Sequence, residues 1–227
     1  MSGCAVQSSI PVVEVKQPPS EKISTHFVSS GDTLYSIAWR YNLDPESLAS
    51  ANNIKKPYKI YKGDKINLQI SYKPLNQNKM LANKSLTKED VKVKPTANLK
   101  SVQDKWFWPA KGKITRDFND SRLRPHKGID IKSFKGAPVF ASNSGSVVYS
   151  GSGLPAYGKL IIIKHNDIFL SAYAHNDQLL VKEGDQVMAG EKIAEIGQTG
   201  TKYVHLHFEI RKNGVPINPN LFLSKQG

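Results

Sequence analysis

The sequence predicts two unequal folded units: a small α+β module of strand, helix, helix and strand (residues 25–68), and an all-β domain (residues 106–227). Three observations predict this division. Between residues 25 and 68, apolar side chains first recur at helical spacing and later alternate at strand spacing. From residue 106 onward, glycines recur from Gly112 to Gly200 between short β-rich runs such as Val147-Val148-Tyr149 and Leu160-Ile161-Ile162-Ile163, and no amphipathic helix stands out. That pattern predicts a compact sandwich or barrel-like β domain. Residues 69–105 carry eight lysines against three acidic residues, with Pro74 and Pro95, and hold too little apolar material to bury a core. They read as a flexible, disordered basic linker.

Taken in order, residues 1–24 hold Pro11, Pro18 and Pro19 among scattered polar residues and read as an extended tether. Thr25-His26-Phe27-Val28 is a short strand. Gly31 turns the chain, and Asp32 is the expected cap of a helix whose apolar side is Leu34, Ile37, Ala38 and Tyr41. Asn42-Leu43 breaks that helix. Asp44-Pro45-Glu46 opens a second, with Asp as cap and Pro at the first helical position, and Leu48, Ala49 and Ile54 supply its apolar side. Lys62-Gly63-Asp64 turns into the alternating strand Lys65-Ile66-Asn67-Leu68.

The totals exclude several classes. A single cysteine, Cys4, rules out an internal disulfide and a cysteine metal cluster. No apolar run approaches the length that spans a bilayer. A 39% hydrophobic fraction allows a real core, while a mean hydropathy of −0.43 leaves part of the chain for solvent. Net charge is +13, distributed as +2 before residue 69, +5 in the linker and +6 after it. Such a chain favours a polyanionic partner or surface. Because the densest charge lies in the linker and no nucleic-acid motif appears, nucleic acid is not the expected partner.

The residues that carry chemistry lie in the β domain. In Val204-His205-Leu206-His207-Phe208-Glu209-Ile210, polar and apolar residues alternate, which is strand periodicity. His205 and His207 therefore share one face. His126 and Asp130, four residues apart, would also share a face on a strand and reach one ion, with His207 as third ligand. Two histidines and a carboxylate are a set that zinc uses in hydrolases, leaving the fourth position for water. His175, with His205, can then serve as base and hydrogen-bond donor. Singly, His126 also fits a turn, Asp130 a turn cap and His175 a satisfied buried position. His165 and His26 read as structural.

Family resemblance sharpens these readings. Ser30-Gly31-Asp32-Thr33-Leu34-Tyr35-Ser36-Ile37-Ala38 and Ile60-Tyr61-Lys62-Gly63-Asp64-Lys65-Ile66-Asn67-Leu68 resemble the LysM module. The resemblance implies binding to N-acetylglucosamine-containing glycan, here peptidoglycan. His126-x-x-x-Asp130, Tyr173-Ala174-His175 and His205-Leu206-His207-Phe208-Glu209 resemble the lysostaphin/LytM-type zinc metallopeptidases, as do Gly128-Ile129-Asp130-Ile131 and Val139-x-Ala141-x-x-x-Gly145-x-Val147. The resemblance implies that His126, Asp130 and His207 hold Zn2+, that His175 and His205 are catalytic, and that stem peptides or cross-bridges of peptidoglycan are cut.

Ser2-Gly3-Cys4 resembles the end of a lipoprotein signal. It implies lipidation of Cys4, a periplasmic location and an outer-membrane anchor. Together with one LysM module, a polar linker and a LytM domain, this resembles the NlpD-type lipoproteins. Ile163 to Asp167 and Leu170 to Asp177 are similar to that branch, whose members activate cell-division N-acetylmuramoyl-L-alanine amidases and usually have a degenerate zinc site. This chain departs from them by keeping all five residues. The loop Gly200-Thr201-Lys202-Tyr203-Val204 is bulkier than in active peptidases, which leaves two expectations: a zinc endopeptidase on peptidoglycan, and a non-hydrolytic amidase activator.

Overall fold

A computed structural model describes residues 23–70, 106–121 and 123–224. The expected tether, the lipidation site Cys4 and the expected linker, apart from its first two residues, lie outside those residues.

The small module is built as β1 (Thr25–Phe27), α1 (Leu34–Tyr41), α2 (Pro45–Ala51) and β2 (Lys65–Asn67). β1 and β2 pair antiparallel, His26 opposite Ile66. Asp32 does not cap α1. The cap is Thr33, whose hydroxyl accepts from the Ser36 amide while the Ser36 hydroxyl accepts from the Thr33 amide. Asp32 is engaged elsewhere, its carboxylate accepting from His26 at 2.8 Å and from the Ser29 amide at 2.9 Å. α1 ends at Asn42 in the left-handed conformation, and α2 begins as expected at Asp44 with Pro45 inside it. Leu34, Ile37, Ala38, Leu48, Ala49, Ile66 and Leu68 form the module's own core. His26 lies in it between Asp32 and Tyr41, a structural role.

The larger domain holds β3 (Lys113–Arg116), β4 (Ile129–Lys132), β5 (Pro138–Phe140), β6 (Gly145–Gly151), β7 (Lys159–Lys164), β8 (Phe169–Leu179), β9 (Gln186–Val187), β10 (Lys192–Ile196), β11 (Leu206–Lys212) and β12 (Val215–Ile217), followed by a 3-10 turn at Pro219–Leu221. All ten strands join one antiparallel sheet. Its main path runs β3-β4-β11-β8-β7-β6-β9, with β10 bridging β5 and β8, and β12 alongside β11. The expected all-β domain is present.

Both faces of this sheet are buried, so its central strands read as near-continuous apolar runs. On one face Ile129, Ile131, Val147, Ile161, Ile163, Tyr173, Leu206, Phe208 and Ile210 pack into the main core. On the other, Tyr149, Leu160, Ile162, Leu170, Ala172 and Ala174 form a second core that also takes in Trp39 of α1. The small module is thus docked on the sheet through a buried tryptophan. Around it, Arg40 donates to the Gly153 carbonyl at 3.0 Å and Lys164 meets Glu46 at 3.3 Å. Gly214, in the β11–β12 turn at φ 77°, comes so close that a Cβ would sit 2.3 Å from the Leu43 carbonyl oxygen.

Candidate metal centre

The register of three strands assembles the site. His207 on β11 lies opposite Asp130 on β4 and opposite Ala174 on β8. Since Leu206 and Phe208 enter the main core, His207 points to the other face, as does Asp130 between Ile129 and Ile131. Ala174 is small, so the strand beside His207 leaves room above the sheet. His126 is not on the strand with Asp130, as its spacing suggested. It sits in the turn before β4, in an isolated bridge with Asn119. Gly128 makes that approach possible: a Cβ there would lie 2.1 Å from the Phe208 carbonyl oxygen.

The three side chains converge. Asp130 Oδ1 is 2.7 Å from His207 Nδ1 and 3.1 Å from His126 Nε2. One ligand atom from each residue lies within 4.8 Å of those of the other two. His205 Nε2 is 3.7 Å from the same Asp130 oxygen, and the His175 and His205 rings are 4.7 Å apart between centroids. All five residues named from the sequence are therefore in one cluster.

Each imidazole is held by an acceptor on its outer nitrogen. His126 Nδ1 faces the Asp117 carbonyl at 2.8 Å, His175 Nδ1 the Thr199 carbonyl at 2.8 Å, and His205 Nδ1 the Tyr203 carbonyl at 3.0 Å. A carbonyl oxygen only accepts, so each of these nitrogens carries the proton and, in the neutral ring, leaves the other nitrogen bare. His207 is turned the opposite way, with Nε2 facing Glu209 Oε1 at 3.2 Å and Nδ1 facing the cluster. Hydrogen-bonded outer nitrogens of this kind are how metal-ligating histidines are oriented. The donor set of two imidazole nitrogens and one carboxylate fits a divalent zinc-type ion.

The electrostatics agree. Burial alone would raise Asp130, but the His126 and His207 rings beside it outweigh it and hold the carboxyl well below the ordinary carboxylate range. Burial likewise opposes charge on His207, yet its hydrogen bonds to Asp130 and Glu209 hold it up at about 9. His175 goes the other way, its burial pushing it down to about 4, so it is neutral at physiological pH. Its backbone is left-handed, at φ 65°. That conformation costs a non-glycine residue on the order of 1 kcal/mol or more and is retained mainly where surroundings enforce it. Here the enforcing bonds are its amide to the Tyr157 carbonyl and its ring to Thr199.

Sequence reasoning missed the layer behind the ligands. Glu209 and Arg211 are fully buried and paired at 2.9 Å, and the Tyr157 hydroxyl donates to Glu209 Oε1 at 2.7 Å. The signal was present, since residues 207, 209 and 211 alternate with Phe208 and Ile210 and so share the site's face. Tyr157 comes from a loop between β6 and β7 and left no periodic signal. Tyr203 does not fill the cluster: its side chain is 75% exposed. His165 is structural as expected, held between the Ser144 carbonyl and the Ser171 hydroxyl.

The family model for the LysM domain matches residues 26–69, and that for peptidase family M23 matches residues 124–219. The chain is 40% identical over 232 residues to the Lipoprotein NlpD/LppB homolog of Pseudomonas aeruginosa, covering 88% of this chain and 77% of that protein. It is 36% identical over 260 residues to the Murein hydrolase activator NlpD of Escherichia coli, covering 89% and 68%. It is 39% identical over 209 residues to the Uncharacterized lipoprotein YgeR of Escherichia coli, covering 90% and 82%. A LysM unit and an M23 unit in one chain, aligned along most of their length with these lipoproteins, decide the assignment: the chain belongs to the NlpD/LppB lipoprotein family.

Proposed function

We propose that the protein is an envelope lipoprotein that binds peptidoglycan through its LysM module and cuts peptide bonds of peptidoglycan at a zinc centre in its M23 domain. The observation that carries this reading is the complete cluster of His126, Asp130, His207, His175 and His205, with His126, His175 and His205 each held at Nδ1 by a backbone carbonyl and His207 held at Nε2 by Glu209.

In this reading His126 through Nε2, His207 through Nδ1 and Asp130 through its carboxylate hold Zn2+. When bound, the ion would supply Lewis acidity for the hydrolysis. The remaining work belongs to the chain. Neutral His175, its Nδ1 proton committed to Thr199, has Nε2 free to take a proton from the attacking water. His205, beside it, offers a second ring for hydrogen-bonding charge that develops on the carbonyl oxygen. Glu209 keeps the Nε2 proton on His207 so that Nδ1 remains a ligand. The lipid on Cys4 anchors the chain to the outer membrane, and the positive charge of residues 69–105 suits an anionic wall or lipid surface.

A second reading is favoured by the printed name of the Escherichia coli relative, a murein hydrolase activator. In it the same centre is retained for binding, and the protein switches on a periplasmic N-acetylmuramoyl-L-alanine amidase. Release of fragments from dye-labelled sacculi separates the two. The endopeptidase reading expects the zinc-loaded full chain to release fragments bearing new peptide amino termini, and the His205→Ala chain to release none. Release that occurs only after a purified amidase is added supports the activator reading and contradicts the first.

A further inference from the structure

The layer behind the metal ligands does not end within the M23 domain. Arg211 Nη1 donates to the Trp39 carbonyl at 2.8 Å, and its guanidinium carbon lies 3.6 Å from the centre of the Trp39 ring. Trp39 belongs to α1 of the LysM module, more than 170 residues earlier in sequence. Its exposure is 2%, and neither Arg211 nor Glu209 has any. On its other side Arg211 binds Glu209 Oε2 through Nε and Nη2, each at 2.9 Å, and reaches the Tyr157 hydroxyl at 3.3 Å. Glu209 Oε1 accepts from Tyr157 and from His207 Nε2. One unbroken chain of contacts therefore runs from Trp39 through Arg211 and Glu209 to His207.

The two oxygens of Glu209 have separate tasks, one tied to Arg211 and one to the ligand His207. Holding Arg211 fixes the carboxylate plane and hence the oxygen presented to His207. A guanidinium with no water around it depends on every partner it has, because an unmet buried donor is costly. Two of those partners, the carbonyl and the indole face, belong to the LysM module, and the ring adds a cation–π contact. Undocking would open Arg211 to solvent and loosen its hold on Glu209.

We propose that the docked LysM module completes the metal centre: Trp39 clamps Arg211, a positioning residue that acts through Glu209 to orient His207 for the ion. The inference rests on the metal reading above. Coupling of this kind is reciprocal, so zinc must strengthen docking by the factor by which docking strengthens zinc binding.

The test uses the full chain and zinc alone, with affinity read by competition against a chromophoric chelator. Loss of an outer partner typically weakens metal binding 10–100-fold, so Arg211→Met and Trp39→Leu are expected to weaken zinc by about tenfold or more. Glu46→Gln, at the same interface but away from this chain of contacts, is expected to bind zinc as the wild type does. Where a variant fails a circular-dichroism check of folding, hydrogen exchange on the unmodified chain decides. Zinc is expected to slow exchange in residues 36–43 and 148–154, which meet at the interface. Wild-type affinity in both folded variants, or exchange in those segments that zinc does not change, overturns the inference. A wild-type chain that binds no zinc overturns the metal reading itself, and this inference with it.

Discussion

Asp130 is the residue on which the site turns, because a single oxygen of it faces three imidazoles at 2.7, 3.1 and 3.7 Å. Removing a ligand leaves a two-donor set that cannot hold the ion tightly. His126→Ala and His207→Ala are each expected to abolish zinc binding, measured by metal content after gel filtration. The pH dependence follows from His207. Its carboxylate partners hold it up at about 9, so below that pH the ion must displace a proton from Nδ1. Zinc affinity is therefore expected to rise by about tenfold per pH unit toward 9 and to flatten above it, read by competition titration. For the metal-free fold the sign reverses. A group raised above its ordinary 6.5 contributes stability that is full below that value and is lost as pH rises through about 9.

At the scale of elements, β4 and β11 decide whether the ligands meet. Their register places Asp130 opposite His207, and Gly128 lets the preceding turn lie against β11. Gly128→Ala forces the Phe208 carbonyl and the Glu209 side chain away, and is expected to cost about 1–3 kcal/mol, as overpacked sites do. Urea denaturation checks this, and weaker zinc binding should accompany it. These elements also show what was legible. His205, His207 and Glu209 announced a strand because period two is visible in a single chain. Asp44-Pro45 announced a helix start because capping is a local effect. Asp32 did not cap α1, since a long-range partner, His26, competes for its carboxylate and Thr33 is available one residue on. The spacing of His126 to Asp130 suggests a shared strand, whereas the turn that carries His126 depends on contact with β11, which no local pattern encodes.

At the scale of the molecule, the unexpected feature is that the two units share a core. Trp39 stood outside the apolar set Leu34, Ile37, Ala38 and Tyr41, and it faces the sheet instead. No local pattern announces its partner, because the partner arises only once β6, β7, β8 and β11 are assembled. A buried tryptophan and a buried arginine at the junction predict that the modules melt together. Scanning calorimetry of the full chain is expected to show one cooperative transition, and Trp39→Ala to lower its midpoint and split it. With a LysM module in the chain, the full chain is expected to sediment with purified peptidoglycan at moderate salt.

If this centre cuts peptidoglycan, the muropeptides carry the signature. The most direct test digests cross-linked peptidoglycan with the zinc-loaded full chain and reads the muropeptides by mass spectrometry, with the His205→Ala chain as control. The endopeptidase account predicts that cross-linked dimers disappear and shorter peptides with new termini appear only with the unmodified chain. An unchanged muropeptide profile, with one zinc per chain confirmed, would contradict it.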